Sequence, residues 1–210
     1  MEQDYFNYHL EPNLQIENYF VGSVNKNAFH FLINDNLNFN NFFLNGPSKS
    51  GKTHLGLIWR NKYNALIYNK NLSEIIETKS NVFIDDIFLD INEEHIFHII
   101  NHCLLYDLKI LITSSIGLND FNFKIIDLSS RLKVFQNIKI DLPDDELLLN
   151  LMIKLFHDKQ VVIKNPEIFD YIIKRINRSY EDVFNLIMEI DKLLLKRKKQ
   201  LTIPLIKELI

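Results

Sequence analysis

Eight consecutive residues concentrate the chemistry of this 210-residue chain: Gly46-Pro47-Ser48-Lys49-Ser50-Gly51-Lys52-Thr53. Their spacing, G-x-x-x-x-G-K-[ST], is that of a cradle for phosphate. Glycines let backbone N–H groups converge on one anion in conformations a side chain resists. Lys52 sets a compact positive charge beside the β and γ phosphates of a nucleotide, and the Thr53 hydroxyl is a ligand for Mg2+. A helix starting there adds the positive end of its dipole. The whole chain has 5 glycines, so chance is a poor explanation for two of them at this spacing.

A second group, Val82-Phe83-Ile84-Asp85-Asp86, is an apolar run ending in two carboxylates. Open α/β sheets bind ligands at the C-terminal ends of their strands. There Asp85 would hold Mg2+, mostly through water, and Asp86 would orient an attacking water. The run Leu111-Ile112-Thr113-Ser114-Ser115 ends in hydroxyls that can touch a γ-phosphate, and which of the three matters stays open. Arg131 is one of few arginines; its planar fork suits a phosphate reached across an interface, the alternative being a surface salt bridge. His95, His98 and His102 share helical spacing, with Cys103 beside them. Zinc needs at least three ligands with backing partners, so a helix face is the expectation. The basic stretch 196–199 falls at a helix end, where cations complement the dipole.

The pattern around these residues places them. Short apolar runs at 42–44, 65–68, 82–85, 109–113 and 138–141 read as strands. Helical spacing covers 25–34, 52–63, 92–106 and 126–135. Strands alternating with helices predict a parallel sheet covered on both faces. After Pro143 the pattern is helical: 144–159, 165–176 with a proline at its first turn, 179–198, and a short helix from Thr202. The expected division is an N-terminal arm at 1–20, a nucleotide-binding domain at 21–142 and a helical domain at 143–210.

Composition narrows the function. Hydrophobic residues make up 47% and charged residues 24%, as in ordinary globular proteins. The formal net charge of −3 argues against a bulk electrostatic grip on DNA. Cys103 is the only cysteine, which excludes an intrachain disulfide and fits a reducing cytoplasm. No stretch approaches the roughly 20 apolar residues of a membrane span, and no signal peptide is expected.

Taken together, these residues resemble a known family. The phosphate loop, Phe83-Ile84-Asp85-Asp86-Ile87, the strand at 110–113 and Ser130-Arg131-Leu132 are similar to the AAA+ module of bacterial DnaA-type replication initiators. Glu17-Asn18-Tyr19-Phe20-Val21-Gly22-Ser23 resembles the segment that lies near the adenine in that family, which adds Val21 and Gly22, with Thr113, to the implied nucleotide contacts. The stretch Leu201-Thr202-Ile203-Pro204-Leu205-Ile206-Lys207-Glu208 is especially similar to the end of the Hda-type regulators, DnaA-like proteins that inactivate the initiator. The resemblance implies an αβα AAA+ sandwich with a five-stranded parallel sheet and a small helical lid. It implies ADP or ATP with Mg2+ as cofactors, and Arg131 completing the site of a DnaA partner. It also implies the sliding clamp as a second partner, engaged by an N-terminal peptide. Gln3, Phe6 and Tyr8 fit a loose clamp-peptide pattern, a packed arm being the alternative.

Two departures matter. The family's lid offers an arginine to the nucleotide where this chain has Glu181, with Arg178 one turn earlier. That leaves hydrolysis by the chain itself in question. Initiators also carry single-strand-gripping helices after the second strand, and a helix-turn-helix beyond the lid. Here 69–81 has room for one short helix, and the sequence ends soon after the lid, so sequence-specific DNA binding is not expected. The function expected is a cytoplasmic regulator of replication initiation, with a homodimer left open. The alternative is a self-sufficient ATPase, such as a helicase loader or a truncated initiator; a scaffold that uses nucleotide only to hold its shape is a third reading.

Overall fold

The computed structural model describes residues 16–34, 39–197 and 200–210. The apolar runs become parallel strands: β1 (Asn41–Asn45), β2 (Leu66–Ile67), β3 (Val82–Ile84), β4 (Ile110–Ser114) and β5 (Gln136–Lys139). They pair in the order β2-β3-β4-β1-β5, which seats β1 between β4 and β5. Five helices cover this sheet: α1 (Lys26–Ile33), α2 (Lys52–Tyr63), α3 (Leu72–Glu77), α4 (Glu93–Leu105) and α5 (Ile126–Leu132).

The alternation of side chains along β1 divides the core in two. Phe42 and Leu44 pack with Ala28 and Leu32 of α1 and with Leu55 and Trp59 of α2. Phe43 points to the other face, among Ile75 of α3, Ile99 of α4 and Leu128 of α5. The sheet is therefore the middle layer of the expected αβα sandwich.

Four more helices follow: α6 (Asp145–Asp158), α7 (Glu167–Ile173), α8 (Tyr180–Arg197) and α9 (Ile203–Ile206). Their apolar stripes close a third core around Met152, Phe156, Ile172, Val183 and Ile187. The Asp144 carboxylate starts this unit by accepting from Leu147 N at 2.8 Å, an N-cap that satisfies one orphan donor of α6. Leu147 and Tyr180 turn toward the sheet and join the core around α2, tying the helical unit to the sandwich. Among the described residues, no helix is long and apolar enough to cross a membrane.

The edge strand departs from expectation. It runs Gln136–Lys139, two residues ahead of the apolar signal at 138–141. Pairing with β1 decides its register, Phe42 opposite Gln136 and Asn45 opposite Lys139. Only one of its faces meets the core, so Ile138 and Ile140 are buried while Asn137 and Lys139 are exposed. Helix α5 likewise ends at Leu132, three residues early, because Phe135 turns inward to the second core. Tyr19, assigned to the arm, is buried against α1 and α2. Residues 1–15 of the arm, among them the clamp-peptide candidates Gln3, Phe6 and Tyr8, lie outside the described residues, as do Lys198 and Lys199 of the basic stretch.

Helix α2 approaches the sheet through Gly56. A Cβ there would stand 2.2 Å from Cζ of Phe83, a fully buried ring on β3. Alanine is the better helix former by up to ~1 kcal/mol, but overpacking of this kind costs about 1–3 kcal/mol. Gly56→Ala is therefore expected to lower the urea midpoint despite its better propensity. An unchanged or raised midpoint would mean that Phe83 has room to move.

Candidate functional site

The phosphate loop leaves the C-terminal end of β1 and enters α2. Its backbone has the shape an anion cradle needs. Gly51 has φ +88°, open to glycine at little cost. At Gly46, a Cβ would sit 2.9 Å from the carbonyl oxygen of Ile140, just past β5, so only glycine fits there. Gly46 N donates to the Ser114 carbonyl at 3.2 Å, pinning the loop to β4. Lys49 holds φ +62° without being glycine.

Lys52, at the first turn of α2, is buried. Its Nζ donates to the carbonyls of Gly46 at 3.0 Å and Pro47 at 2.7 Å. Desolvation lowers its pKa, against the opposing pull of the Asp86 and Asp85 carboxylates. An ammonium has three donors, and two meet neutral carbonyls. A buried cation bonded to neutral dipoles is suited to an anionic ligand.

One hydroxyl organises the acidic side of the site. Thr113, fully buried at the end of β4, donates to Asp85 Oδ1 at 2.6 Å and accepts from Asp86 N at 2.8 Å. Thr53 Oγ1 donates to both Asp85 oxygens, at 3.1 and 2.9 Å. Asp85 is thus oriented from two sides, beside the loop. Asp86 adopts φ +42°, and its carboxylate accepts from Ser115 N at 3.1 Å and from Ser115 Oγ at 3.3 Å. Ser114 turns away and bonds its own segment, donating to the Ile116 carbonyl at 2.6 Å. Of the three hydroxyls, Thr113 serves Asp85, Ser115 serves Asp86 and Ser114 caps a turn.

A cavity of about 90 Å³ opens beside the loop. Its walls include Tyr19, Phe20, Asn25 and His54 on one side and Leu151 and Tyr180 on the other. Asn25 shapes this wall: its Nδ2 donates to the Phe20 carbonyl at 2.9 Å, and its Oδ1 accepts from Gly22 N at 2.8 Å. Tyr19 meets the His54 ring edge-on at 5.2 Å and stacks with Phe29 at 5.8 Å; burial raises its pKa. Val21 and Gly22 stand next to this wall and do not line it. The sequence signals Asn25 only as a helix start and His54 not at all.

The remaining candidates lie elsewhere. Because β4 and β5 run parallel, α5 returns from the C-terminal edge of the sheet toward its N-terminal edge, and Arg131 sits in its last turn. The guanidinium packs over the Phe97 ring at 5.2 Å. Arg178 pairs with Asp145 through Nε at 2.9 Å and Nη2 at 3.1 Å, while Glu181 is exposed. His95 Nδ1 meets the Tyr68 hydroxyl at 2.8 Å, and His102 is buried against Tyr106. No group of three His, Cys, Asp or Glu side chains able to hold a metal occurs among the described residues. Burial pushes the Cys103 thiol up to about 12, which makes it inert at neutral pH.

Solved structures share this architecture. Domain III of the Thermotoga maritima replication initiation protein DnaA superposes with a TM-score of 0.73 at 18% identity, over 92% of this chain and 93% of that one. AMPPCP-bound DnaA from Aquifex aeolicus gives 0.68 at 18% identity, over 89% and 67%. A Thermotoga maritima RuvB variant gives 0.63 at 18% identity, over 90% and 68%. No curated protein matches the sequence. The strand order, the loop after β1 and the helical unit that follows make an AAA+ fold of the kind found in DnaA. Residues 157–210 match the family model described as Hda, lid domain. The C-terminal part of the chain is thus similar to that lid domain from the end of α6 onward.

Proposed function

We propose that this chain is an Hda-type regulator of replication initiation, which binds ADP or ATP with Mg2+ and, with the sliding clamp, stimulates ATP hydrolysis by a DnaA initiator. The observation that carries this reading is an Hda-type lid joined to an AAA+ sheet with a phosphate loop. The residues fit the nucleotide: Gly46 and Gly51 leave room that a Cβ would fill or strain, and Lys52 is a buried cation bonded to neutral carbonyls. Residues 46–53 would hold the phosphates, Thr53 and Asp85 the Mg2+, and the cavity beside Tyr19 the nucleoside. Bound Mg2+ neutralises phosphate charge.

Hydrolysis by the chain itself is weak in this reading. Glu181 stands where the family's lid offers an arginine, and Arg178 is paired with Asp145. Arg131 instead serves the partner's nucleotide. Gln3, Phe6 and Tyr8 supply the clamp contact, and sequence-specific DNA binding plays no part. The paired Asp85 and Asp86, both anchored beside the loop, favour the second reading, a self-sufficient ATPase.

One experiment separates the two. ATP hydrolysis by a DnaA initiator is measured with and without this protein and DNA-loaded clamp, beside the protein alone. Hydrolysis should rise only in the complete mixture, and deleting residues 1–8 should return it to the initiator's own rate. Brisk turnover by the protein alone, with no effect on the initiator, would support the self-sufficient ATPase.

A further inference from the structure

The phosphate loop and the helical unit touch at a point that the reading above does not use. Lys49 Nζ stands 4.5 Å from the centre of the Phe184 ring on α8. Lys49 is exposed and needs no partner for solvation, yet it holds a left-handed φ of +62° inside the loop. A non-glycine residue is strained in that region, and such strain persists where surrounding structure enforces it. A lysine over an aromatic face is held by the ring quadrupole.

Position gives this contact its meaning. The cavity beside the loop has Ser50 and Gly51 on one wall and Leu147, Leu151 and Tyr180 on the other. A nucleoside there lies between the sandwich and the helical unit, and it leaves when the two part. Other cross-links between them lie away from the motif: Tyr180 donates to the Asp141 carbonyl at 3.1 Å, and Lys154 to the Asn18 carbonyl at 2.8 Å. The Lys49–Phe184 contact reaches the motif itself.

We propose that Lys49 and Phe184 form a clasp that holds the lid closed over bound nucleotide and slows its release. The proposal rests on the reading of 46–53 as a phosphate loop. Lys49 then works through the lid, as a positioning residue, and not only through its charge on the phosphates. Exposed cation–π pairs are weak, so the clasp tunes residence time by about two- to fivefold.

The test is release of fluorescent ADP from the full chain by stopped flow, with Mg2+. Phe184→Leu keeps the apolar bulk and removes the ring, and release should quicken about two- to fivefold. Phe184→Tyr keeps the ring and should release at the parent rate. Lys49→Gly removes the cation and also relieves the left-handed strain. Lys49→Gly should also quicken release, but loss of its charge from the phosphate loop would do so without a clasp, so the double variant decides between the two. The double variant Lys49→Gly with Phe184→Leu should be no faster than Lys49→Gly alone, because each change breaks the same contact. An unchanged rate in Phe184→Leu, or effects that multiply in the double variant, would overturn the clasp while leaving the phosphate loop intact. Failure of the parent protein to bind fluorescent ADP would remove the phosphate-loop reading and the clasp together.

Discussion

Arg131→Ala is expected to fold, bind nucleotide and bind clamp as the parent does, yet lose its stimulation of the initiator's ATPase. The folding half of this expectation follows from packing. Arg131 is half-exposed and touches the Phe97 ring, a contact worth about 0.5–1 kcal/mol at an exposed site. The functional half follows from topology. The phosphate loop leaves the C-terminal edge of β1, while the last turn of α5 lies toward the opposite edge. Arg131 is therefore badly placed for its own loop and free to enter another subunit's site. Its fork matches a γ-phosphate whose charge is spreading, and fingers of this kind contribute roughly 10³–10⁵ in rate. The check is initiator turnover with clamp, DNA and either variant. Equal stimulation would make Arg131 a surface residue, and lost nucleotide binding would place its work within its own chain. Arg131→Lys should fail in the same way as Arg131→Ala, because an ammonium lacks the planar fork.

Lys52→Ala should abolish nucleotide binding. Truncating one partner of a desolvated charged contact costs about 2–5 kcal/mol, a fall of roughly 30- to 5000-fold in affinity. Part of that loss comes from the loop itself, since Nζ also ties down the Gly46 and Pro47 carbonyls. Isothermal titration with ADP and with ATP, at concentrations that saturate the parent, should give no binding heat. Retained affinity for either would mean that the phosphates bind elsewhere.

How much of this is legible in the sequence depends on how local the cause is. The phosphate loop announces itself because glycine spacing, lysine and hydroxyl are all read within eight residues. The helix that follows it is delimited by its own pattern at 52–63, where the structure has it. The strand ending in Asp85 and Asp86 is equally plain, since burial on both faces leaves an uninterrupted apolar run. The apolar signal misplaces the edge strand by two residues because only one face is buried and register comes from β1. The allocation of Thr113, Ser114 and Ser115 cannot be read at all, because three adjacent hydroxyls look alike until the strand end turns each toward a different neighbour. The cavity wall is harder still. The resemblance at 17–23 points to the stretch of Tyr19, but Asn25 and His54 carry no such signal, and His54 joins that stretch only after α1 and α2 pack. The Lys49–Phe184 contact spans most of the chain and leaves no periodic trace.

The seat of β1 between β4 and β5 carries a consequence for how the chain comes to bind anything. Its two neighbours are contributed by residues 110–114 and 136–139, far downstream of the loop that β1 launches. Gly46 is held on one side by Ser114 and confined on the other by the Ile140 carbonyl. Loop closures of this length slow folding, and their contacts form only once the distant partners are in hand. During synthesis the eight-residue motif is complete long before it has walls. A nascent chain short of residue 140 therefore presents the motif without its grip, and a nucleotide bound as proposed would stabilise only the finished sheet.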